Sequence, residues 1–194
     1  MNRRSFLSAS LASTAVSAPL LGKDRNPKIG GNAKSGTKLT WQNGKSYWPI
    51  CLDTATLDKG IGLEDKLRLA SEAGFDCVEP WDRELDQYEK QGGNLKDIKS
   101  LVEDLGLYIP SVIGLWNSMD ASEESFKSRL DEHRNRLRMV SAIGSRKVQV
   151  IPNMKLKDSF DYNVASWCYR QILEFAINDY GMEGAGIVFL NFFS

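Results

Sequence analysis

The sequence predicts an α/β protein built as a partial (β/α) barrel, with about five of the eight units that close such a barrel. Five short apolar runs recur along the chain, and an amphipathic helical pattern fills each gap between them. The regular alternation favours parallel strands joined by right-handed crossovers. The fifth run ends near the C-terminus with no helical pattern after it, which predicts that part of the barrel is missing. The runs are 49–52, 75–79, 108–113, 147–151 and 186–190.

Bulk composition narrows the classes of function. The 194 residues fit one domain with an N-terminal extension. Lys and Arg total 25 and balance 25 Asp and Glu. Proteins that bind nucleic acid usually carry a basic excess, so we expect no nucleic-acid partner. The three cysteines form neither a CxxC pair nor a zinc-ligand spacing.

The N-terminus predicts an export signal. Arg3 and Arg4 precede Phe6 and Leu7, which resembles the twin-arginine (Tat) signal. The weakly apolar stretch 7–21 is too short and too polar to remain as a membrane anchor. We therefore expect the Tat export machinery as a partner and a periplasmic location. The predicted division is a signal peptide at 1–22, a linker rich in Gly, Lys, Asn and Ser at 23–46, and an incomplete barrel domain at 47–194.

Helical periodicity places four helices between the strand-like runs. Asn94 is a plausible N-cap of the second helix. A glycine stands near the end of each helix, as expected for a helix stop. The predicted helices lie near 63–73, 94–105, 122–143 and 161–180, and the stop residues are Gly74, Gly106, Gly144 and Gly181.

Open doubly wound sheets share this alternation of strands and helices, so the alternation alone does not distinguish a barrel from an open sheet. No GxGxxG or GxxxxGK[ST] motif follows any of the apolar runs. The usual nucleotide-binding fingerprints are therefore absent.

Polar and aromatic side chains that follow the strands are the candidate site residues, because barrel sites form at the C-terminal ends of strands. Glu79 is the strongest candidate, since it ends an apolar run and Pro80 stops the ladder after it. Its carboxylate would bind a hydroxyl group or a water at a ligand site; alternatively, it caps a loop or pairs with Arg83. The candidates are Asp53, Glu79, Trp81, Trp116, Asn117, Asn153 and Asn191.

The other candidates also have two readings each. Asp53 would bind substrate or close an Asx turn with local backbone. Trp81 and Trp116 would stack on the ring of a ligand or fill the space above the core. Asn117 and Asn153 would bind hydroxyl groups or serve as turn residues.

His133 is the one histidine of the chain. It lies within a helix on or beside the apolar stripe, so we expect a packed residue rather than a base or a metal ligand. Cys51 and Cys77 share strand parity with Asp53 and Glu79. A disulfide between these cysteines would strain the ladder, so we expect two free, buried thiols.

Three segments resemble the xylose isomerase-like TIM-barrel family, which includes sugar phosphate isomerases and epimerases and is related to endonuclease IV. The first is the strand and polar turn at 50–53. The second, 69–80, contains Ala-Gly-Phe-Asp followed by Val-Glu and is the most specific match. The third, 142–152, resembles the entry to the family's fourth strand. The resemblance spans about residues 48–192.

The resemblance implies a small-molecule sugar substrate and proton transfer beside a sugar carbonyl. It also implies a divalent metal ion (Mn, Mg, Zn or Co), held by carboxylates and a histidine at the ends of the later strands. The chain departs from this pattern, because the fifth run and the residues after it, 186–194, contain no carboxylate. No metal ligand can therefore be assigned to a position in this chain.

Three functions remain open at this point. The first is a sugar isomerase or epimerase in the complete form, and the second is a non-catalytic carbohydrate-binding protein or truncated remnant. The third, an endonuclease IV-like nuclease, is disfavoured by the neutral charge and the single histidine. The apolar fifth strand also predicts self-association through an exposed sheet edge.

Overall fold

The computed structural model describes residues 41–153 and 161–182 and the backbone of 187–189. The predicted signal peptide, most of the predicted linker and the candidate Asn191 lie outside these residues. Export, the domain division and self-association through the fifth strand therefore stay predictions. No helix among the described residues is long and apolar enough to cross a membrane.

Five strands are present in the described residues, one at each predicted apolar run. The strands are β1 (Cys51–Asp53), β2 (Cys77–Glu79), β3 (Val112–Ile113), β4 (Val148–Val150) and β5 (Ile187–Phe189). The helices are α1 (Leu63–Glu72), α2 (Asp82–Lys90), α3 (Leu95–Asp104), α4 (Glu123–Ser128), α5 (Leu130–Ala142) and α6 (Tyr162–Asn178).

All strand pairs are parallel and follow chain order. β1 pairs with β2, and β3, β4 and β5 form a second ladder in that order. Two parallel bridges, Cys77 to Tyr108 and Trp81 to Ile113, join the β2 segment to the β3 segment. The carboxyl ends of the strands therefore meet at one end of the sheet, where barrel sites form.

Helix boundaries follow the capping signals of the sequence. The Asn94 side chain accepts a hydrogen bond from the Lys96 amide and caps α3, as predicted. The Asp161 side chain accepts from two amides and caps α6. The predicted stop glycines all adopt positive φ angles: Gly74, Gly106, Gly144 and Gly181.

Each amphipathic helix buries its apolar stripe against the strands. Leu67, Ile98, Leu137 and Ile172, from four different helices, are all fully buried and join one hydrophobic core with strand residues such as Val78. Burying a side chain of this size stabilises the fold by about 1.5–3 kcal/mol. The core therefore fixes where the strands end and where the site residues stand.

Two helical predictions were wrong. The gap between β2 and β3 contains two helices, because α2 precedes the predicted helix and had not been expected. The predicted single helix at 122–143 is two helices, α4 and α5, which meet at Arg129. Arg129 leaves helical geometry (φ −110°, ψ 11°), and its guanidinium donates to the carbonyls of Trp116 and Asn117.

Candidate functional site

Glu79 stands at the carboxyl end of β2 with its side chain half-buried. Its Oε1 accepts a hydrogen bond from the Ser111 hydroxyl and another, at 2.8 Å, from Gln149 Nε2 on β4. One carboxylate oxygen therefore ties three neighbouring segments of the sheet together. No hydrogen bond from the described residues reaches Oε2, which leaves that oxygen as an acceptor for a ligand. Among the described residues, no ion pair joins Glu79 to Arg83.

Asp53 ends β1 and is the register partner of Glu79 on β2. Its Oδ1 accepts from the Ala55 amide at 2.9 Å and from Trp81 Nε1 at 2.7 Å. The first bond is the Asx-type cap that the sequence allowed, at the start of a short 3-10 turn. The second bond orients the Trp81 indole over the ends of the first two strands.

Trp81 and Trp116 lie together beyond the ends of β2 and β3. Their rings stack with centroids 5.2 Å apart and an interplanar angle of 23°. The Arg83 guanidinium lies 4.0 Å from the centroid of the Trp81 ring. Trp81 thus already has two stacking partners within the chain, so stacking on a sugar would require one of them to move.

The two asparagine candidates differ in exposure. Asn117 is exposed, adopts a positive φ of 55°, and uses its backbone carbonyl to accept from Arg129 at 2.9 Å. Asn153 is half-buried, and its backbone N–H donates to the Met119 carbonyl at 3.2 Å. Both residues sit beyond the carboxyl ends of β3 and β4, at the same end of the sheet as Glu79.

Comparison with solved structures identifies the fold. A protein titled a xylose isomerase-like TIM barrel/4-hydroxyphenylpyruvate dioxygenase fusion matches 73% of this chain and 21% of its own, with 21% identity and a TM-score of 0.61. A zinc-bound IolI protein matches 73% of this chain and 51% of its own, with 16% identity and a TM-score of 0.59. D-psicose 3-epimerase, solved in the presence of D-fructose, matches 75% and 54%, with 14% identity and a TM-score of 0.58.

The chain has the fold of the xylose isomerase-like TIM barrels. The predicted fold class is therefore confirmed, and the structure presents it as a partial barrel. The chain spans about half the length of the IolI and epimerase structures. No family model matches the sequence, and no curated protein matches it either.

The metal expected for a xylose isomerase-like barrel does not fit the described residues. Nowhere in 41–153 or 161–182 do three or more His, Cys, Asp or Glu side chains come together in a group that could hold a metal ion. Asp53 and Glu79 are neighbours, but Glu79 Oε1 and Asp53 Oδ1 already accept hydrogen bonds within the chain. This part of the barrel offers hydrogen-bonding groups rather than metal ligands.

A buried ion pair joins α1 to α2 beside the turn that follows β1. Lys66 Nζ lies 2.7 Å from Glu84 Oε1, and their side chains are 5% and 15% exposed. Glu84 Oε2 accepts from the Thr54 hydroxyl and, at 2.9 Å, from the Trp81 amide. These bonds fix the turn after β1 against the start of α2. The Lys66 and Thr54 partners of Glu84 lie 18 and 30 residues away from it, so periodicity in the sequence does not reveal them.

A second buried pair joins α2 to α5. Asp82 is 3% exposed, and its Oδ2 lies 2.5 Å from Arg136 Nη1. Burial raises the pKa of the Asp82 carboxyl, although the Arg136 guanidinium opposes that shift. A cavity of about 500 Å³ lies above this pair, between the two helices and beside the tryptophans. Trp81 and Trp116 line one side of it.

His133 is fully buried in α5, which confirms the prediction of a packed residue. Its ring stacks on Phe126 at 5.0 Å, and no described residue forms a hydrogen bond with either ring nitrogen. Burial lowers the pKa of His133 to about 4, with further lowering by the nearby Arg129 and Arg136 charges. The imidazole is therefore neutral at physiological pH.

The cysteine prediction was half right. Cys51, Cys77 and Cys168 are all free, but Cys51 is exposed and not buried. Among the described residues β1 pairs only with β2, so the other edge of β1 is uncovered at Cys51. Parity alone could not show this, because it gives the face of a strand and not the neighbours that cover it.

Proposed function

We propose that this chain carries the sugar-binding half of an isomerase or epimerase site at the mouth of its barrel. In the proposed reaction a proton moves beside the carbonyl of a sugar. Such a reaction requires the sugar to be held in one orientation relative to the group that moves the proton. We assign the described side chains to the orienting part of that task.

The observation that carries this proposal is the arrangement of the Glu79 carboxylate. Ser111 and Gln149 fix one oxygen, while the other accepts no hydrogen bond from the described residues. A fixed carboxylate with one open oxygen is a strong acceptor for a sugar hydroxyl, because charge-assisted hydrogen bonds are roughly twice as strong as neutral ones. Asp53, its register partner, provides a second carboxylate at the same end of the sheet.

The titles of similar solved structures support a sugar as the substrate class. Among the similar structures, one is titled a D-psicose 3-epimerase and another a sugar phosphate isomerase/epimerase. We extend that chemistry to this chain as a proposal. A divalent metal is part of the expected activity, but the described residues do not form its site, so the role given to Glu79 involves no metal.

The test is a search for sugar interconversion by the full-length chain. We would incubate it with a panel of aldoses, ketoses and their phosphates and follow epimers and isomers by NMR. Parallel reactions would contain Mn²⁺, Mg²⁺, Zn²⁺, Co²⁺ or EDTA. We expect at least one interconversion, reduced tenfold or more in kcat/KM by Glu79→Gln and unchanged by the exposed Glu103→Gln. Interconversion of no sugar under any condition would reject the proposal of an isomerase.

A non-catalytic carbohydrate-binding protein is the second candidate. The described residues favour it because they provide hydrogen-bonding and aromatic groups without a cluster of metal ligands. A binding protein would change its tryptophan fluorescence with added sugar to the same extent with and without EDTA. Fluorescence that responds to sugar only when a metal is present would instead favour the enzyme.

A further inference from the structure

Two cysteines stand side by side at the N-terminal ends of β1 and β2. Cys51 and Cys77 are register partners in a parallel ladder. Neighbouring strands lie about 4.8 Å apart, and disulfides form where the two Cα atoms are about 4.4–6.8 Å apart. Register partners also direct their side chains to the same face of the sheet, so the two sulfur atoms face each other.

Neighbouring side chains set the character of each thiol. Cys77 is the register partner of Cys51 on one side and forms a parallel bridge with Tyr108 on the other. The neighbouring Cys51 side chain, joined by that of Tyr108, lowers the pKa of Cys77 despite burial. The pKa of Cys51 is raised, chiefly by the neighbouring Cys77 side chain.

Access differs between the two thiols. Cys51 is exposed, whereas its register partner Cys77 is 1% exposed. The third cysteine, Cys168, is fully buried in the hydrophobic core. A reagent in solution therefore reaches Cys51 first, and the thiol nearest to the product of that reaction is Cys77.

We propose that Cys51 and Cys77 form a reversible disulfide by exchange with a low-molecular-weight disulfide. In the first step Cys51 loses its proton and attacks one sulfur of the reagent, which forms a mixed disulfide and releases one thiol. In the second step the Cys77 thiolate attacks Cys51 Sγ, which closes the protein disulfide and releases the second thiol. The two protein thiols give up two electrons and two protons, and the reagent becomes two thiols.

The exposure of Cys51 makes the bond open to reduction. A reducing thiol in solution can attack the Cys51 sulfur and reopen the bond. Strained or exposed disulfides are the labile ones, in contrast to the stable bonds of secreted scaffolds. The site is therefore a redox-sensitive modification site at the opposite end of the strands from Glu79.

Thiol counting after exposure to oxidised glutathione tests this inference. The folded full-length chain would be reduced, incubated with oxidised glutathione, denatured and alkylated, then measured by intact mass and peptide mapping. We expect the number of alkylated cysteines to fall from three to one, with a peptide linking Cys51 to Cys77 and an alkyl group on Cys168. Added dithiothreitol should restore all three thiols.

Matched variants separate this result from general oxidation. Cys168→Ser should form the same linked peptide, whereas Cys77→Ser should stop with one glutathione on Cys51. Tyr108→Phe should slow closure several-fold without changing the first step, because Cys77 loses the neighbouring hydroxyl that lowers its pKa. A wild-type chain that stops at the mixed disulfide, or that keeps three free thiols, would overturn the inference. These two contradicting outcomes are measured on the wild-type chain, so they do not depend on the folding of any variant.

Discussion

Gln149 Nε2 lies 2.8 Å from Glu79 Oε1, although the two residues are 70 positions apart in the sequence. The bond spans from β4 to β2, and Ser111, just before β3, donates to the same oxygen. Residues from three consecutive strand segments therefore hold one carboxylate at the carboxyl end of β2. This arrangement links the fold to the proposed sugar-binding role, because packing of the strands fixes the position of the acceptor.

Removing the amide partner of Glu79 should weaken the fold. In Gln149→Leu the half-buried carboxylate keeps only the hydrogen bond from Ser111. We expect the free energy of unfolding to fall by about 1.5–3 kcal/mol, as for other hydrogen bonds to charged groups. Urea unfolding followed by circular dichroism would measure it. The control is Gln87→Leu at an exposed site, and an equal loss in both variants would contradict the role of the bond.

Removing one partner of the buried Lys66–Glu84 pair should lower the free energy of unfolding more than replacing both partners by apolar residues. Lys66→Met leaves the Glu84 carboxylate buried and unpaired, so we expect a loss of about 3–5 kcal/mol. The double variant Lys66→Met/Glu84→Leu removes both charges and should recover part of that loss. Chemical denaturation of both variants measures the difference. Glu84→Leu is measured as well, because it also removes the bonds to Thr54 and Trp81. A loss in the double variant equal to the sum of the two single losses would show that the charges are not coupled.

Buried His133 should make the protein sensitive to mild acid. Its pKa is about 4 in the folded chain, against an ordinary value of 6.5. The unfolded chain therefore binds a proton first as the pH falls, and stability is lost between about pH 6.5 and 4. One pKa unit corresponds to about 1.4 kcal/mol, so the loss from this residue is about 3 kcal/mol.

The variant His133→Leu isolates that contribution from the titration of Asp120 and Glu132, which also face this region. Both carboxyl groups remain in the variant, but the imidazole does not. We expect thermal stability to fall less steeply from pH 6.5 to 4 in His133→Leu than in the wild type. At neutral pH the variant should be as stable or more stable, because the unpaired ring nitrogens are gone. If thermal stability falls equally steeply with pH in the two proteins, His133 is not the cause of the acid sensitivity.

Gly114 should tolerate no side chain. A Cβ at this position would lie 2.8 Å from the Asp82 Cβ, which Arg136 holds in place. We expect Gly114→Ala to lower the free energy of unfolding by about 1–3 kcal/mol, as overpacking does. Gly62→Ala is the control, because nothing lies within 4 Å of a Cβ there. Equal thermal unfolding temperatures for the two variants would argue against close packing at Gly114.

The sequence predicted the strands and most helices because their patterns are local. Helix α3 has a capping residue, an apolar stripe and a stop glycine within one short stretch. Helix α2 has no apolar stripe, since Leu85 is its one fully buried apolar residue, although Glu84 caps its first turn. The break at Arg129 was also hidden, because the apolar stripe continues across it from Phe126 to His133.

The site was predictable only in part for the same reason. Strand ends can be read from apolar runs, and that rule nominated Glu79 and Asp53. Ser111 and Gln149 carry no local signal, because each gains its role from a partner on another strand. The stacking of Trp81 on Trp116 likewise depends on how β2 and β3 lie beside each other. Pairwise contacts over long sequence separations are not visible in periodicity.

Isothermal titration calorimetry of the full-length chain with D-fructose tests the central claim most directly. D-fructose is the sugar present in the similar D-psicose 3-epimerase structure. If Glu79 binds the sugar, we expect binding by the wild type, at least tenfold weaker binding by Glu79→Gln, and unchanged binding by Glu103→Gln. Binding that is equally strong in the wild type and Glu79→Gln, or no binding by the wild type of this sugar or any of the panel, would contradict it.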